Sequence, residues 1–439
     1  MKRYIKAIYF VAFAAVFSGC DSYLDVKPKG VVMPETLSDY EQMLNSYTLT
    51  QTFPMHLLYA SDDVAGSFTK TEGSTAANAY FWNPRLDTDS ESPPAAWSTG
   101  YRAIYNTNVI ISNVMNATNG SEQKKQQVLG EALVMRADVY FNLLTLFAKA
   151  YNKSTAASDP GLPFVTSINV TEAIPARSSV QTVLDSLTTN LKKAAEILPE
   201  HNINRSRVTK YVAHGLLSRI YLYMHDYPNA QLHAEKALQA PHELNDYNTF
   251  IIPMDQEDPQ MLWTRMADDE AAIFYLTYAN ELINMYEPDD LRSMLLAYDI
   301  GTGYMYGRFD FALFGIDFAE LYLTRAEAMA RSGDVDGAME IINLLRSKRI
   351  GEWAYYELEA ANKEEALELV LHERRLELAF RGHRWMDMKR LDAEGRMPAV
   401  ERLSDTGNVI ETLAPKSPRY TFEIPGRVLL FNPGMVTNH

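Results

Sequence analysis

The sequence predicts an all-α protein: a solenoid of paired helices with irregular loops set between the pairs. Three observations carry this. Apolar residues recur at helical spacing through most of the chain, two segments superpose on each other at a constant offset, and Pro-, Gly- and Ser-rich stretches punctuate the helical runs. In chain order, Leu37 to Leu49 and Ala95 to Met115 show the helical period, with Trp97, Tyr101, Ile104 and Tyr105 marking the second run. A polar stretch from Ser61 to Pro94 separates them. From Glu122 the pattern resumes, and Leu129, Leu133, Arg136, Tyr140, Leu143, Leu144 and Phe147 share one face. Asp159-Pro160-Gly161-Leu162-Pro163 stops that helix. Ser178 or Ser179 then caps the next one, which runs through Leu184, Leu187, Leu191 and Ala194 to Leu198-Pro199.

The segments Tyr211 to Ala240 and Phe318 to Ser347 align at an offset of 108 residues, placing Ser218 over Ala326, Tyr221 over Met329 and Ala230 over Ala338. Each reads as helix, tight turn, helix. The turns are His225-Asp226-Tyr227-Pro228 and Ser332-Gly333-Asp334. Small residues let the paired helices approach and the large one fills the gap between them, the spacing of a tetratricopeptide hairpin. Two looser pairs are predicted from Gln127 to Ala148 with Val180 to Leu198, and from Lys363 to Leu391. Four such pairs favour a stacked α-solenoid.

Between the second and third pairs lies an insert, residues 241–316. From Phe274 to Phe314 it holds 10 aromatics in 41 residues, interrupted by Gly301, Gly303 and Gly307. Rings at no helical or strand period point to loops that either pack a small second core or line a binding surface.

Composition sets the limits. With 41 Lys plus Arg against 56 Asp plus Glu, the net charge is −15, and no basic run exceeds three residues, which argues against a nucleic-acid partner. The one cysteine, Cys20, excludes an intramolecular disulfide framework and any multi-cysteine metal centre. Lys2, Arg3 and Lys6, the apolar run Ala7 to Phe17, and Phe17-Ser18-Gly19-Cys20 read as a secretory signal, residues 1–19, that ends in a lipid-acceptor cysteine. The apolar run is shorter than the ~20 residues a membrane span needs. Processing at Cys20 takes the charge from −15 to −18 through loss of three basic residues, and several acyl chains there hold a protein where one binds only marginally.

Catalytic and metal motifs are weak. His372-Glu373-Arg374-Arg375-Leu376 starts like a zincin helix but lacks the second histidine. Gly301 to Gly307 misses the dinucleotide spacing, and Asp87, Asp89 and Glu91 lack the glycine and closing acid of a calcium loop. No nucleophile elbow or phosphate loop occurs. The segment Glu373 to Trp385 is dense in charge on an apolar stripe, with Glu377 and Arg381 as i, i+4 partners, and reads as an ion network tying the last helices together. No cofactor is called for.

Taken in order, Cys20-Asp21-Ser22-Tyr23-Leu24-Asp25; Trp97, Tyr101, Ile104 and Asn108; Glu131-Ala132 with Arg136-Ala137; Gly161-Leu162-Pro163; Ala319-Glu320-Leu321-Tyr322-Leu323; the Glu373 helix with Gly382-His383-Arg384; and Phe422-Glu423-Ile424-Pro425 resemble the RagB/SusD family over nearly the whole mature chain. Arg381 stands where relatives more often carry Glu. The resemblance implies four tetratricopeptide-like pairs: two in the N-terminal region 20–240, two in the C-terminal region 317–439, with the small insert 241–316 between them. It also implies a non-enzymatic, lipid-anchored protein on the outer face of the outer membrane. Such a protein binds oligomeric nutrient, glycan or peptide, and acts as a lid over a SusC-like TonB-dependent transporter. A lipid-anchored hydrolase and a purely structural surface protein are the alternatives. The ligand-binding residues expected are Asp62, Asp63, Asn78, Tyr80, Phe81, Trp82 and Asn83 of the early loop, with Tyr304, Tyr306 and Arg308 of the insert. Trp82 is the expected stacking platform, with Arg308 or the Asp pair as polar readers. The opposing reading is that Phe81 and Trp82 only anchor the loop on the solenoid.

Overall fold

A computed structural model describes residues 34–68, 70, 73–87, 91–251, 258–268, 276–297, 299, 314–404 and 406–438. Cys20, Asp89, Tyr304, Tyr306 and Arg308 lie outside them. The helices fall where the periodicity places them. They are α1 (Leu37–Leu44), α2 (Ala95–Asn113), α3 (Glu122–Phe147), α4 (Val180–Ile197), α5 (Lys210–Tyr223), α6 (Tyr227–Ala237), α7 (Phe318–Ser332), α8 (Val335–Arg346), α9 (Lys363–Glu377) and α10 (Arg384–Glu394).

Local chemistry sets their ends. Thr36 and Asp39 close a capping box on α1, the Ser121 hydroxyl accepts from the Lys124 amide at the start of α3, and Ser179, not Ser178, caps α4. Gly333, at φ 97°, ends α7 in the left-handed conformation that glycine adopts without strain, and Asp334 then caps α8.

Successive helices pack in series from α3 through α8, and α9 packs on α7 and α8. Within the two superposable hairpins the small residues Ser218, Ala230, Ala326 and Ala338 are fully buried at the crossings, while Tyr221 and Met329 fill the space beside them. The Ser218 hydroxyl also donates to the Ala230 carbonyl at 2.9 Å. The fold is therefore a tetratricopeptide-like α-solenoid. Its fourth pair is open: α10 lies against the one-turn helix His56–Tyr59 and against α5, and an Arg374–Asp387 ion pair of 2.8 Å links it to α9. One apolar core runs from α1 to the C-terminal segment, and a second, smaller one fills the third hairpin around Leu323, Ile342 and Val370.

Short ladders fasten the early loop and the insert to each other. Strand β1 (Gln51–Phe53) runs parallel to β6 (Met266–Ala267), and β2 (Val64–Ala65) pairs antiparallel with β7 (Thr277–Tyr278). Strand β5 (Met261–Trp263) pairs with β8 (Ile316–Asp317), and a Cβ at Gly315 would lie 1.8 Å from the Trp263 carbonyl, so only glycine fits that approach. The strands β3 (Pro160–Pro163) and β4 (Arg177–Ser179) bridge α3 to α4, and a C-terminal hairpin, β9 (Val400–Leu403) and β10 (Val409–Leu413), returns over the early loop. Among the described residues no helix is long and apolar enough to cross a membrane.

Candidate ligand-binding surface

The early loop leaves β1 at Phe53, turns through Asp62-Asp63, pairs with the insert at β2, and forms a short helix, Thr75–Tyr80, before Phe81 and Trp82. Three arginines from the last hundred residues hold it. Arg384 grips Asp62 bidentately, Nε to Oδ1 at 2.6 Å and Nη2 to Oδ2 at 2.8 Å. Arg375 lies 3.2 Å from Asp62 and 3.4 Å from Asp63, and also pairs with Glu281 of the insert at 2.8 Å. Arg402, carried by β9, donates to the carbonyls of Tyr59, Ser61, Val64 and Tyr80 at 2.8–3.0 Å. Its guanidinium sits 3.9 Å from the Tyr80 ring centroid and 4.4 Å from that of Trp82.

The electrostatics follow from burial. Desolvation pushes both aspartates up, but the Arg384 and Arg375 charges override it at Asp62 and hold that carboxyl down to about 2. At Asp63 burial and the neighbouring Asp62 charge prevail, lifting it to about 7 against the pull of Arg375 and Arg384. Burial lowers Arg402 to about 10.

This geometry corrects the expected roles. Trp82 is 0% exposed, its indole Nε1 donates to the Ala60 carbonyl at 2.8 Å, and its backbone takes φ 52° to turn the ring inward. It presents no open face for stacking. Phe81 and Tyr80 are buried beside it, Tyr80 packed edge-on to Phe81 at 5.0 Å. Asp62 and Asp63 are engaged by arginines and do not face a ligand. Asn78 donates to the Leu86 carbonyl and accepts from Asn83, each at 2.7 Å, so these bonds staple the segment that follows Trp82. The reading in which Phe81 and Trp82 anchor the loop describes the structure. Phe68 and Asn83 are half-buried, and Ser67, Lys70, Pro84 and Arg85 are exposed.

Of the insert, the described flanks reach the same place. The Ala279 amide donates to the Asp63 carbonyl at 2.9 Å, and Phe314 stacks on Phe53 with centroids 4.2 Å apart. The charged helix also differs in detail from expectation. Helix α9 stops at Glu377, Phe380 and Gly382 take positive φ, and Arg381 therefore turns to Asp317 at 2.6 Å, while Glu377 pairs with Arg349 at 2.7 Å and Arg292 at 3.1 Å. The network itself is as expected: Arg390 holds Glu327 bidentately at 2.6 and 2.8 Å and Asp387 at 2.7 Å, tying α10 to α7.

Sequence reasoning missed Arg402, Arg384 and Arg375 as loop anchors. Arg402 carries one faint signal, a charge on the inward face of the alternating strand Val400–Leu403. A groove of about 850 Å³ on the third hairpin, beside Tyr322, Tyr355, Glu340 and Glu357, contains none of the nominated residues. Among the described residues no three His, Cys, Asp or Glu side chains are placed to hold a metal ion.

Comparison with known proteins places this architecture. Residues 22–222 match a family model described as starch-binding associating with outer membrane, and residues 293–429 match the SusD family model. A SusD-like protein of Formosa agariphila is 22% identical over 100% of this chain and 99% of its own length. Among solved structures, a SusD superfamily protein from Bacteroides thetaiotaomicron superposes with a TM-score of 0.80 at 22% identity, covering 92% of this chain and 100% of its own. A protein from Bacteroides vulgatus described as a putative sugar binding protein gives 0.76 at 23% identity, covering 93% and 99%.

Proposed function

The chain belongs to the SusD/RagB family, and on that premise we propose that it is a surface glycan-binding lipoprotein that hands oligosaccharide to a SusC-like TonB-dependent transporter. Cys20 is its lipid anchor and holds it on the outer face of the outer membrane. The observation that supports a binding site is the joining of the early loop to the insert: β2 with β7, the Asp63 carbonyl with Ala279, and Phe53 with Phe314 bring the two regions together. The insert segment carrying Tyr304, Tyr306 and Arg308 is followed in sequence by Phe314, which lies at that junction. With Trp82 buried, stacking on sugar faces falls to Tyr304 and Tyr306, and Arg308 and Asn83 read hydroxyls.

The test is calorimetric titration of the soluble mature chain with neutral oligosaccharides and with peptides. Oligosaccharide binding that weakens at least tenfold in Tyr304→Ala and Tyr306→Ala supports the reading. Peptide binding in its place, or affinity indifferent to both tyrosines, overturns it. A Cys20→Ala chain is expected to leave the membrane fraction, and pull-down of the native protein tests the transporter partnership.

A further inference from the structure

Eleven arginines are buried among the described residues, and nine of them have a carboxylate within 4.0 Å. Arg402 is satisfied by its four carbonyls. Arg136 has neither arrangement. It is 5% exposed, its Nη1 donates to the Asn108 side-chain carbonyl at 2.6 Å, its Cζ lies 5.9 Å from the Phe164 ring, and its Nε is buried with no hydrogen-bond partner. A neutral amide and a ring do not balance a buried cation, which is unfavourable to leave without a counter-charge.

Arg136 borders a cleft of about 410 Å³ that is also lined by one wall of α4 residues, with Thr182, Ser186, Thr189 and Asn190 in succession. The Thr182 and Ser186 hydroxyls have partners inside the helix's first turns, at Ser179 and the Thr182 carbonyl, each at 2.8 Å. The side chains of Thr189 and Asn190 have none among the described residues and remain available to a ligand. Asp185, on the same wall, disfavours a second negative charge, as does the net charge of −15. The site thus combines one unmet cation, free hydroxyl and amide groups, and one aromatic edge at Phe164.

We propose that this cleft binds a single acidic sugar residue of an otherwise neutral glycan, Arg136 taking the carboxylate while Thr189 and Asn190 take ring hydroxyls. The inference rests on the glycan-binding reading above but uses a different set of residues. Its test is titration of the mature chain with a glucuronate-terminated disaccharide, the matching glucose-terminated disaccharide, and sodium acetate. The acidic sugar is expected to bind about tenfold to a hundredfold tighter than the neutral one, the gain of charge-assisted hydrogen bonds to a guanidinium. Thr189→Glu, an exposed substitution that places a like charge in the cleft, is expected to abolish that preference, and Arg136→Met to do the same. In both variants binding that depends on Tyr304 and Tyr306 persists. Equal affinity for the two disaccharides, a preference that survives Thr189→Glu, or acetate binding as tightly as the sugar acid overturns the proposal. A Thr189-sensitive acidic preference in a chain indifferent to Tyr304 and Tyr306 upholds the cleft and removes the insert site.

Discussion

Replacing Arg402 with Met tests the claim that the early loop is positioned by arginines from the end of the chain. The substitution removes four hydrogen bonds to buried carbonyls and the cation stacked between Tyr80 and Trp82. Hydrogen bonds to a charged donor contribute roughly 1.5 kcal/mol each at the low end, about 6 kcal/mol for four, and the two ring contacts add about 1–2 kcal/mol. Against this, burial holds Arg402 at about 10 in place of 12.5, which corresponds to roughly 3 kcal/mol of unfavourable charge burial that the Met variant escapes. The net loss is roughly 3–5 kcal/mol, a large part of the ~5–15 kcal/mol that stabilises a folded domain. Urea denaturation followed by tryptophan fluorescence measures it, and limited proteolysis locates it. Cleavage is expected to rise first within residues 66–94. Arg402→Lys retains the charge but not the planar fork, and is expected to recover less than half of the loss. A cost below about 1 kcal/mol, or a full cost with no new cleavage in the loop, refutes the anchoring argument.

Three further outcomes follow from the same contacts. Trp82→Ala empties a fully buried site and is expected to cost about 3–5 kcal/mol in denaturant melts; a variant of wild-type stability that lost only glycan affinity would restore Trp82 as a ligand platform. Asp63, lifted to about 7 from 3.8, binds its proton in the folded state when the unfolded state has already released it, so its contribution is full below about pH 4 and is lost as pH rises through 7. Asp63→Asn is therefore expected to raise the melting temperature at pH 8 relative to pH 5. Asp62, held near 2, contributes above about pH 4 and loses its effect only as pH falls through 2, so Asp62→Asn destabilises at both pH values. A larger penalty for Asp63→Asn at pH 8 than at pH 5 contradicts the assignment. Glu327→Gln leaves the fully buried Arg390 without its bidentate partner, with an expected cost of about 3–5 kcal/mol by thermal denaturation, and a loss under 1 kcal/mol would show that Asp387 alone suffices.

The solenoid was legible because its signals are local. Ser218, Tyr221 and Ala230 lie within one hairpin, so their spacing reports the contact they make. The loop was less so. What decides the orientation of Trp82 is Arg402, whose donor reaches the Tyr80 carbonyl from 322 positions later in the chain. No window of sequence contains both. The Glu377–Arg381 pairing failed for a related reason: i, i+4 geometry holds only while the helix lasts, and the chain leaves it through Phe380 at φ 62° and Gly382 at φ 79°. At Gly382 a Cβ would come 2.3 Å from the Phe53 ring, so the turn is dictated by packing against β1 and not by the charges beside it.

The burial of Trp82 bears on where this protein meets its ligand. An aromatic ring offers a sugar its face only if that face is open and the ring is held from its edge. Trp82 is held from its edge by Ala60, but Arg402 already occupies one face and the core the other. Tyr80 is used in the same way, between Arg402 and Phe68, whose ring centroid is 5.0 Å away. The early loop therefore contributes stiffness at the junction, and its polar side chains serve that stiffness. Arginines engage Asp62 and Asp63, and Asn78 holds the Leu86 carbonyl. In a loop so fixed Phe68 is half-buried between Tyr59 and Tyr80 and Asn83 is half-buried beside Asn78, while Ser67, Lys70, Pro84 and Arg85 stand exposed. On the proposed reading ring stacking comes from the insert, and Tyr304→Ala and Tyr306→Ala discriminate that reading more sharply than any change at 82.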